Sequence, residues 1–261
     1  MEDVHRSARA GFERGAATYA SGRPGYPAEL AAFLTGEAGL KAGDRVLDLG
    51  AGTGKFTRLL ADLGLSVVAA EPVAGMLARL QADLPQVETV QAGAHALPFA
   101  VASFDAVFCA QAFHWFATSE AVAEMRRVLK PGRLLALVWN IRDERTPWVR
   151  ALTEAIGPYE AGTPRFHSGE WRKPFPAPGL TALEEHYFDH AHCGSADTVI
   201  IDRIMSVSFI ASLAAEEQEK LRAGILALVA ADPELAGRDE VCFPYRTLIA
   251  TARKRAESAG A

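Results

Sequence analysis

The feature that most constrains this chain is an apolar run that ends in three closely spaced glycines, within Val46–Gly54. The glycines stand at every second position, at Gly50, Gly52 and Gly54, and an apolar helical pattern follows them. A second apolar run then ends at Glu71. This order predicts a strand, a loop, a helix and a second strand with a carboxylate at its tip. Glycines let a backbone approach a ligand closely, and a carboxylate accepts hydrogen bonds from two ribose hydroxyls, so the unit is typical of a nucleotide site.

The glycine spacing narrows the class of ligand. Dinucleotide sites favour G-x-G-x-x-G, in which the third glycine belongs to a helix whose N-terminus faces a pyrophosphate. This chain has G-x-G-x-G, and no Lys-Ser/Thr pair follows to make a phosphate loop. The loop therefore favours a ligand with a nucleoside and no phosphate. A generic glycine turn in a Rossmann-like domain stays open on the loop alone, and the spacing disfavours an NAD-linked oxidoreductase.

Composition sets further bounds. The 261 residues are 49% apolar and 23% charged, which is enough for one large core. A net charge of −5 and the lack of a Lys/Arg block argue against nucleic acid as a partner. The chain shows no leader and no apolar run of membrane-spanning length, so we expect a cytoplasmic protein without a membrane partner. We expect Cys109, Cys193 and Cys242 to be reduced thiols, two or three of them buried. The oligomeric state stays open.

The order of elements predicts an α/β fold. Apolar strands alternate with helices, which indicates a parallel sheet covered on both faces. The predicted strands are 45–49, 66–70, 87–91, 104–110, 133–139, 181–192 and one that starts at 241. We expect Pro131-Gly132 to end the fourth helix and the proline-rich stretch 158–179 to form a loop or lid. The chain is predicted to be one domain, 1–261. Its core comprises about 28–157 with returning strands at about 181–192 and 241–253, and its cap comprises about 1–27 and 158–240.

Two segments resemble a known family. The sequence VLDLGAGTGKFT, from Val46 to Thr57, is similar to the first motif of the class I S-adenosylmethionine-dependent methyltransferases. The run from Ser103 to Gln111 is similar to their fourth-strand motif. The resemblance implies a Rossmann-like fold, with a seven-stranded, mostly parallel sheet, helices on both faces and a small helical cap. It also implies S-adenosylmethionine as the cofactor.

The same resemblance implies a cofactor site at the carboxyl ends of four strands, where ligands bind in open α/β sheets. The residues expected there are Tyr19, Asp48, Gly50, Ala51, Gly52, Gly54, Glu71, Pro72, Met76, Ala94, His95, Ala110 and Gln111. His95 is a departure, because relatives often place there an acid that binds the adenine amino group. For Met76, packing in the hydrophobic core is an alternative of equal weight to contact with the cofactor. Arg23 is a further candidate to close over the methionine end of the cofactor.

Three further segments narrow the family. AFHWF at Ala112–Phe116, RPGYP at Arg23–Pro27 and Pro244–Thr247 resemble the small-molecule methyltransferases around trans-aconitate methyltransferase, a type 11-like group. The expected acceptor residues are His114, Trp115, Trp139 and Arg142. His114 is a candidate hydrogen-bond donor or general base, with a purely structural role as the alternative. Arg142 and the aromatic pair are candidates to bind an anionic or planar acceptor, since a guanidinium fork matches a carboxylate. The alternative is that Arg142 pairs with Asp143 or Glu144 while the tryptophans pack against the lid.

The predicted function is methyl transfer from S-adenosylmethionine to a small-molecule acceptor, with a carboxylate or a hydroxyl among the candidates. An ionised carboxylate needs no general base, whereas a phenol, an amine or a carbon acid would assign that role to His114. An S-adenosylmethionine-binding protein with another activity, or with a non-catalytic partner role, is the alternative. His186, His190 and His192 share one strand face, but no H-E-x-x-H or C-x-x-C motif supports them, so no metal site is predicted.

Overall fold

The computed structural model describes residues 23–160 and 162–256, so the candidate Tyr19 lies outside the described residues. Its strands are β1 Arg45–Leu49, β2 Ser66–Ala70, β3 Glu88–Val90, β4 Phe104–Ala110, β5 Leu129–Arg142, β6 Glu184–Gly194 and β7 Val241–Arg253. Its longer helices are α1 Ala28–Thr35, α2 Lys55–Asp62, α3 Ala74–Asp83, α4 Ser119–Val128, α5 Pro147–Ile156 and α6 Ala215–Ala231. Short helical segments lie at Phe113–Trp115, Gly157–Tyr159, Phe166–Ser168, Glu170–Arg172, Asp197–Asp202, Arg203–Met205 and Ser208–Ala211.

Within the described residues the strands form one seven-stranded sheet in the order β3-β2-β1-β4-β5-β7-β6. The first five strands in this order, β3, β2, β1, β4 and β5, all pair in parallel. Strand β7 inserts between β5 and β6 and runs antiparallel to both. The strand order reverses between β1 and β4, so a crevice opens at their carboxyl ends. The predicted Rossmann-like, mostly parallel sheet is confirmed.

The central strands are buried because helices cover both faces of the sheet. All seven residues of β4 are buried. Alternate side chains enter different cores: Leu47 and Val107 lie in one hydrophobic cluster, and Val46 and Phe108 lie in the other. This explains why the sequence of β4 is apolar from Ala106 to Ala110 instead of alternating.

A third core lies beside the amino-terminal half of β7. Trp148 of α5, Ile200, Phe209, Ile225 of α6 and Phe243 of β7 share this cluster. The segments between β6 and β7 are therefore packed on the sheet. The division of the chain into core and cap that the sequence suggests stays a prediction.

The boundary between α4 and β5 differs from the expectation that Pro131-Gly132 ends the helix. Helix α4 ends at Val128, because Leu129 is already extended with φ −78° and ψ 135° and pairs with Phe104 of β4. Pro131 and Gly132 therefore lie inside β5.

The expectation of reduced, mostly buried cysteines is wrong for two of the three. Cys193 and Cys242 are direct partners in the β6–β7 register, with Cα atoms 4.0 Å apart, and they form a disulfide. Both residues are exposed, while Cys109 of β4 is a buried free thiol. The pairing depends on strand register, which spacing in the sequence does not reveal.

In the described part of the chain, no helix has the length and apolar character needed to cross a membrane.

Candidate cofactor and acceptor site

The glycine loop adopts a backbone that other residues rarely take. Gly50, Gly52 and Gly54 have φ values of 73°, 59° and 85°, and α2 begins directly after Gly54. A Cβ on Gly50 would lie 2.7 Å from the Cβ of Ala112. The loop therefore packs directly on the segment that follows β4, and the positive φ values explain the choice of glycine. Ala51 lies between these glycines, and its N–H donates to the carbonyl of Ala70 at 3.2 Å.

Glu71 at the tip of β2 holds this loop. One carboxylate oxygen accepts from the Gly52 N–H and the other from the Val73 N–H, both at 2.9 Å. Burial raises the pKa of Glu71, and these two backbone hydrogen bonds oppose the shift. A carboxylate offers about four acceptor positions, so each oxygen retains capacity for one hydroxyl donor. Met76 is buried, with its sulfur 3.9 Å from the position of a Cβ on Gly52.

Asp48 lies beneath the loop and is fully buried. Its Oδ2 accepts a hydrogen bond from Thr57 Oγ1 at 2.6 Å. Its Oδ1 is buried without a hydrogen-bond partner in residues 23–160 and 162–256. Burial, with a smaller contribution from the nearby Glu71, raises the pKa of Asp48 to about 7. An unused buried acceptor at this position suits an N–H group of a ligand.

The loop after β3 carries the two residues expected near adenine. Ala94 is buried, and His95 Nε2 lies 3.1 Å from Thr118 Oγ1. The same hydroxyl accepts from the Ala121 N–H and so caps α4. His95 thus ties its loop to the start of α4. The carbonyl of Pro72 accepts from Gln91 Nε2 at 3.0 Å, which joins the ends of β2 and β3.

The residue that directly follows β4 has a strained backbone conformation. Ala110 is buried, and Gln111 has φ 59°, a left-handed value that is uncommon for a residue other than glycine. The Gln111 N–H donates to the carbonyl of Val138 at 2.8 Å, which holds it in that conformation. Such strain is typical of functional sites. Gln111 also lies at the wall of the neighbouring cleft.

That cleft, hereafter the acceptor cleft, opens to solvent and encloses, together with the adjoining solvent at its mouth, about 890 Å³ of empty space. The predicted acceptor residues His114, Trp115, Trp139 and Arg142 all line it. The other described residues that line it are Arg23, Gln111, Asn140, Ile141, Glu144, Thr153, Glu160, Arg165, Phe166, His167, Arg203, Val207 and Ser208. The cleft therefore lies between the ends of β4 and β5 and the segments after α5.

Positive charge dominates the acceptor cleft. Four arginines line it against two glutamates, so the described ionised groups give a net charge of +2. Burial and the other guanidinium groups lower the pKa of Arg142 to about 9. Burial likewise lowers the pKa of Arg165 to about 10, although Glu160 lies 3.7 Å away and opposes the shift. Nε and Nη1 of Arg203 are buried without a hydrogen-bond partner among the described residues.

Among the described residues Arg142 forms no ion pair with Asp143 or Glu144, although the Glu144 carboxylate acts on its guanidinium through space. Asp143 instead forms an ion pair with Arg145 at 2.6 Å. Arg142 donates to Thr153 Oγ1 at 3.3 Å, and no ion pair to it occurs within the described ranges. Its guanidinium is thus held in place and still lacks a carboxylate partner.

Trp139 packs against aromatic residues of the segment 158–179 and also contacts His114. Its ring lies 4.5 Å from that of Trp171 and 5.1 Å from that of Phe166. Its Nε1–H donates to His114 Nδ1 at 3.2 Å. Burial lowers the pKa of His114 to about 3, and Arg165, Arg23 and His167 contribute in the same direction. His114 is therefore neutral at physiological pH.

The polar residues of the acceptor cleft that sequence reasoning missed include Glu160, Arg165, His167 and Arg203. The only local signal was the triplet Arg165-Phe166-His167, which places two basic residues and an aromatic in a stretch otherwise rich in proline and glycine. Arg203 follows an apolar run and carries no such signal. Its position depends on how the segment after β6 folds back over the sheet.

The β6 histidines pack against aromatic rings. His186 lies 4.6 Å from the ring of Phe33, and His190 lies 5.6 Å from the ring of Tyr245. Among the described residues, no group of three or more histidine, cysteine, aspartate or glutamate side chains lies close enough together to hold a metal ion.

The fold is α/β, and the glycine loop lies at the switch point of the sheet, where ligands bind in open α/β folds. A family model described as a methyltransferase domain matches residues 47–137. A methyltransferase-like protein of Schizosaccharomyces pombe is 35% identical over 244 residues, which cover 93% of this chain and 95% of that protein. An uncharacterised methyltransferase of Mycobacterium bovis is 38% identical over 237 residues, which cover 91% and 93%.

A solved structure from Anaeromyxobacter dehalogenans, assigned as a type II methyltransferase, superimposes with a TM-score of 0.65 at 26% identity. The match covers 89% of this chain and 97% of that one. The chain therefore belongs to the class I S-adenosylmethionine-dependent methyltransferases, and S-adenosylmethionine is its cofactor. The glycine cradle, the spare acceptor positions of Glu71 and the unpartnered Asp48 Oδ1 fit that cofactor.

Proposed function

We propose that this methyltransferase acts on a small molecule that carries a carboxylate, bound in the acceptor cleft. The observation that carries the proposal is that Arg142 and Arg203 line the acceptor cleft and form no ion pair with a carboxylate of residues 23–160 and 162–256, while two nitrogens of Arg203 are buried without a hydrogen-bond partner there. Buried charges are costly unless they are paired, so this arrangement favours an anionic ligand. A guanidinium fork matches a carboxylate in geometry as well as in charge.

The cofactor residues divide into three groups in this proposal. The loop from Gly50 to Gly54 supplies a close backbone surface, Glu71 binds the ribose hydroxyls, and Asp48 accepts from an N–H group. His95 and the backbone at Ala94 lie where the adenine edge is expected. When bound, the sulfonium supplies an activated methyl group, and an acceptor oxygen displaces sulfur from that methyl in line. The protein then contributes position and the exclusion of water.

A carboxylate fits the acceptor cleft better than a hydroxyl does. A carboxylate is ionised at neutral pH and reacts without loss of a proton, whereas an alcohol needs a base. His114 is the candidate base at this position, but its Nδ1 is occupied by Trp139 and its pKa is lowered to about 3. The acceptor cleft is therefore well suited to bind an anion and poorly suited to remove a proton from an acceptor.

The first test is calorimetric binding of S-adenosylmethionine and S-adenosylhomocysteine, with NAD as the control. The second is transfer of a labelled methyl group to a panel of small carboxylates and to the matched alcohols and amines. We expect carboxylates to be methylated. Arg142→Gln and Arg203→Gln should each raise KM about ten- to hundredfold, the range expected for a lost hydrogen bond to a charged group. The control Arg145→Gln removes an exposed arginine that pairs with Asp143 and Asp189.

Three results would count against this proposal. Methylation of amines or alcohols in place of carboxylates would overturn the acceptor class. If Arg142→Gln and Arg203→Gln have the same KM as Arg145→Gln, then Arg142 and Arg203 do not bind the acceptor. Cofactor binding without turnover of any acceptor in the panel would favour the alternative of a binding protein with another role.

A further inference from the structure

We propose that His114 is a neutral hydrogen-bond donor, held in one tautomer by Trp139, and that its Nε2–H binds an oxygen of the acceptor. The role of the acceptor oxygen rests on the proposed function above. The tautomer does not, because it follows from the contact between two side chains of the chain itself. His114 is then a specificity-determining residue and Trp139 a positioning residue.

The tautomer follows from the chemistry of the indole. A tryptophan Nε1–H only donates, so the atom that it approaches at 3.2 Å has to accept. His114 Nδ1 therefore presents its lone pair to Trp139, and the proton of the neutral ring lies on Nε2. A proton on Nδ1 would bring two N–H groups face to face. Protonation of His114 would break this contact.

Trp139 is in a position to impose that choice because its own ring is fixed. It is 1% exposed and packs against the rings of Phe166 and Trp171, which themselves stack on each other at 5.7 Å. His114 is anchored as well, because it lies in the short helical turn Phe113–Trp115 and the neighbouring Phe113 is fully buried. The hydrogen bond thus joins two preorganised groups.

The surroundings of His114 keep its ring neutral. Arg23 and Arg165, together with His167, face it and disfavour a further positive charge, and burial acts in the same direction. The other ionisable groups of the acceptor cleft are Arg142, Arg203, Glu144 and Glu160. Neither nitrogen of the ring is then available to accept a proton from an acceptor, since Nε2 already carries one and Nδ1 is used by Trp139.

The Nε2–H group is directed to a ligand and not to the protein. His114 lines the acceptor cleft, is only partly buried, and makes no Nε2 hydrogen bond to any residue that the structure describes. A donor among four guanidinium groups attracts an oxygen acceptor and repels an ammonium or N–H group. This arrangement selects for acceptors that present oxygen at this point.

The tautomer is tested by ¹⁵N NMR of histidine-labelled protein, because protonated and unprotonated ring nitrogens resonate far apart. The signals of His114 are identified among those of the seven histidines as the ones that are absent from the spectrum of His114→Gln. We expect His114 to show the Nε2–H form and no titration from pH 5 to pH 8. Trp139→Phe should release Nδ1 and give a mixture of tautomers. Trp148→Phe, which alters a tryptophan in the third core, should leave the His114 signals unchanged.

The donor role is tested by kinetics with whichever carboxylate of the panel is methylated. His114→Ala should raise KM about ten- to hundredfold, and His114→Gln, which retains an N–H donor, should recover most of that loss. A His114 that titrates between pH 5 and pH 8, or that carries its proton on Nδ1, would overturn the proposal. So would a KM that His114→Ala leaves unchanged. If the predicted tautomer is observed and amines alone are methylated, the acceptor class proposed above fails and so does the oxygen-binding role of His114.

Discussion

The carboxylate of Glu71 accepts a hydrogen bond from the Gly52 N–H at 2.9 Å, across 19 positions of the chain. Its other oxygen accepts from the Val73 N–H. The tip of β2 therefore holds the glycine loop in shape before any ligand binds. This preorganisation reduces the ordering cost of binding.

Glu71→Gln should weaken binding of S-adenosylmethionine by about 1–3 kcal/mol, which corresponds to roughly ten- to hundredfold. An amide retains one oxygen, so one of the two backbone N–H groups would face an NH₂ group. Calorimetry measures the effect. The matched control is Glu88→Gln, which removes an exposed partner of Arg45 at the start of β3. Equal affinities of the two variants would place Glu71 outside the cofactor site.

Asp48 should make the stability of the protein fall as pH rises from about 4 to about 7. Its pKa is raised from 3.8 in the unfolded chain to about 7 by burial, so the folded state binds the proton more tightly. The stabilisation from this group is complete below pH 3.8 and is lost as pH rises through about 7. Integrated over that window, the loss is about 4 kcal/mol.

The Asp48→Asn variant checks this through urea unfolding at pH 4 and at pH 8. An amide does not ionise, so the variant should gain stability relative to the wild type between the two pH values. The exposed Asp62→Asn serves as the control. A difference between wild type and Asp48→Asn that does not change with pH would show that Asp48 does not titrate in this window.

Gly50→Ala should destabilise the protein more than Gly132→Ala. Both glycines have a positive φ, of 73° and 75°, so both variants bear the same backbone strain of about 1–2 kcal/mol. Only at Gly50 does the added Cβ meet another atom, the Cβ of Ala112 at 2.7 Å, while Gly132 faces open space. Overpacking of this kind costs about a further 1–3 kcal/mol. Unfolding midpoints measure the difference, and equal midpoints would mean that the loop moves away from Ala112 without cost.

Much of the fold could be predicted because the signals are local. The apolar runs of β1, β2 and β4 are bounded by glycine, by an acid or by polar residues, and their predicted bounds match the structure. The hydrophobic pattern failed at Pro131-Gly132, where pairing of Leu129 with Phe104 extends β5 beyond its apolar part. It also gave no indication that Cys193 and Cys242 would be partners across two strands.

The cofactor site and the acceptor cleft differ in how far the sequence reveals them. Gly50, Gly52 and Glu71 come from one strand–loop–helix–strand unit, so their spacing carries the signal. Arg165 and Arg203 come from segments that are distant in sequence from each other and from the ends of β4 and β5. An isolated arginine in a sequence is normally interpreted as a surface residue. The sequence leaves the role of His114 open among a hydrogen-bond donor, a base and a packing residue, because its contact with the Trp139 indole exists only in the tertiary structure.

The sequence by itself determined the glycine loop, the acid at the tip of β2 and the alternation of strands and helices, since each depends on short-range spacing and periodicity. Only the tertiary structure decided which charges meet. The parallel pairing of β4 with β5 brings Trp139 close to His114, and the folding of segments distant in sequence gathers four arginines in one cleft. Their charge state depends on burial and on neighbours distant in sequence, because desolvation and Coulomb repulsion act through space and not along the chain.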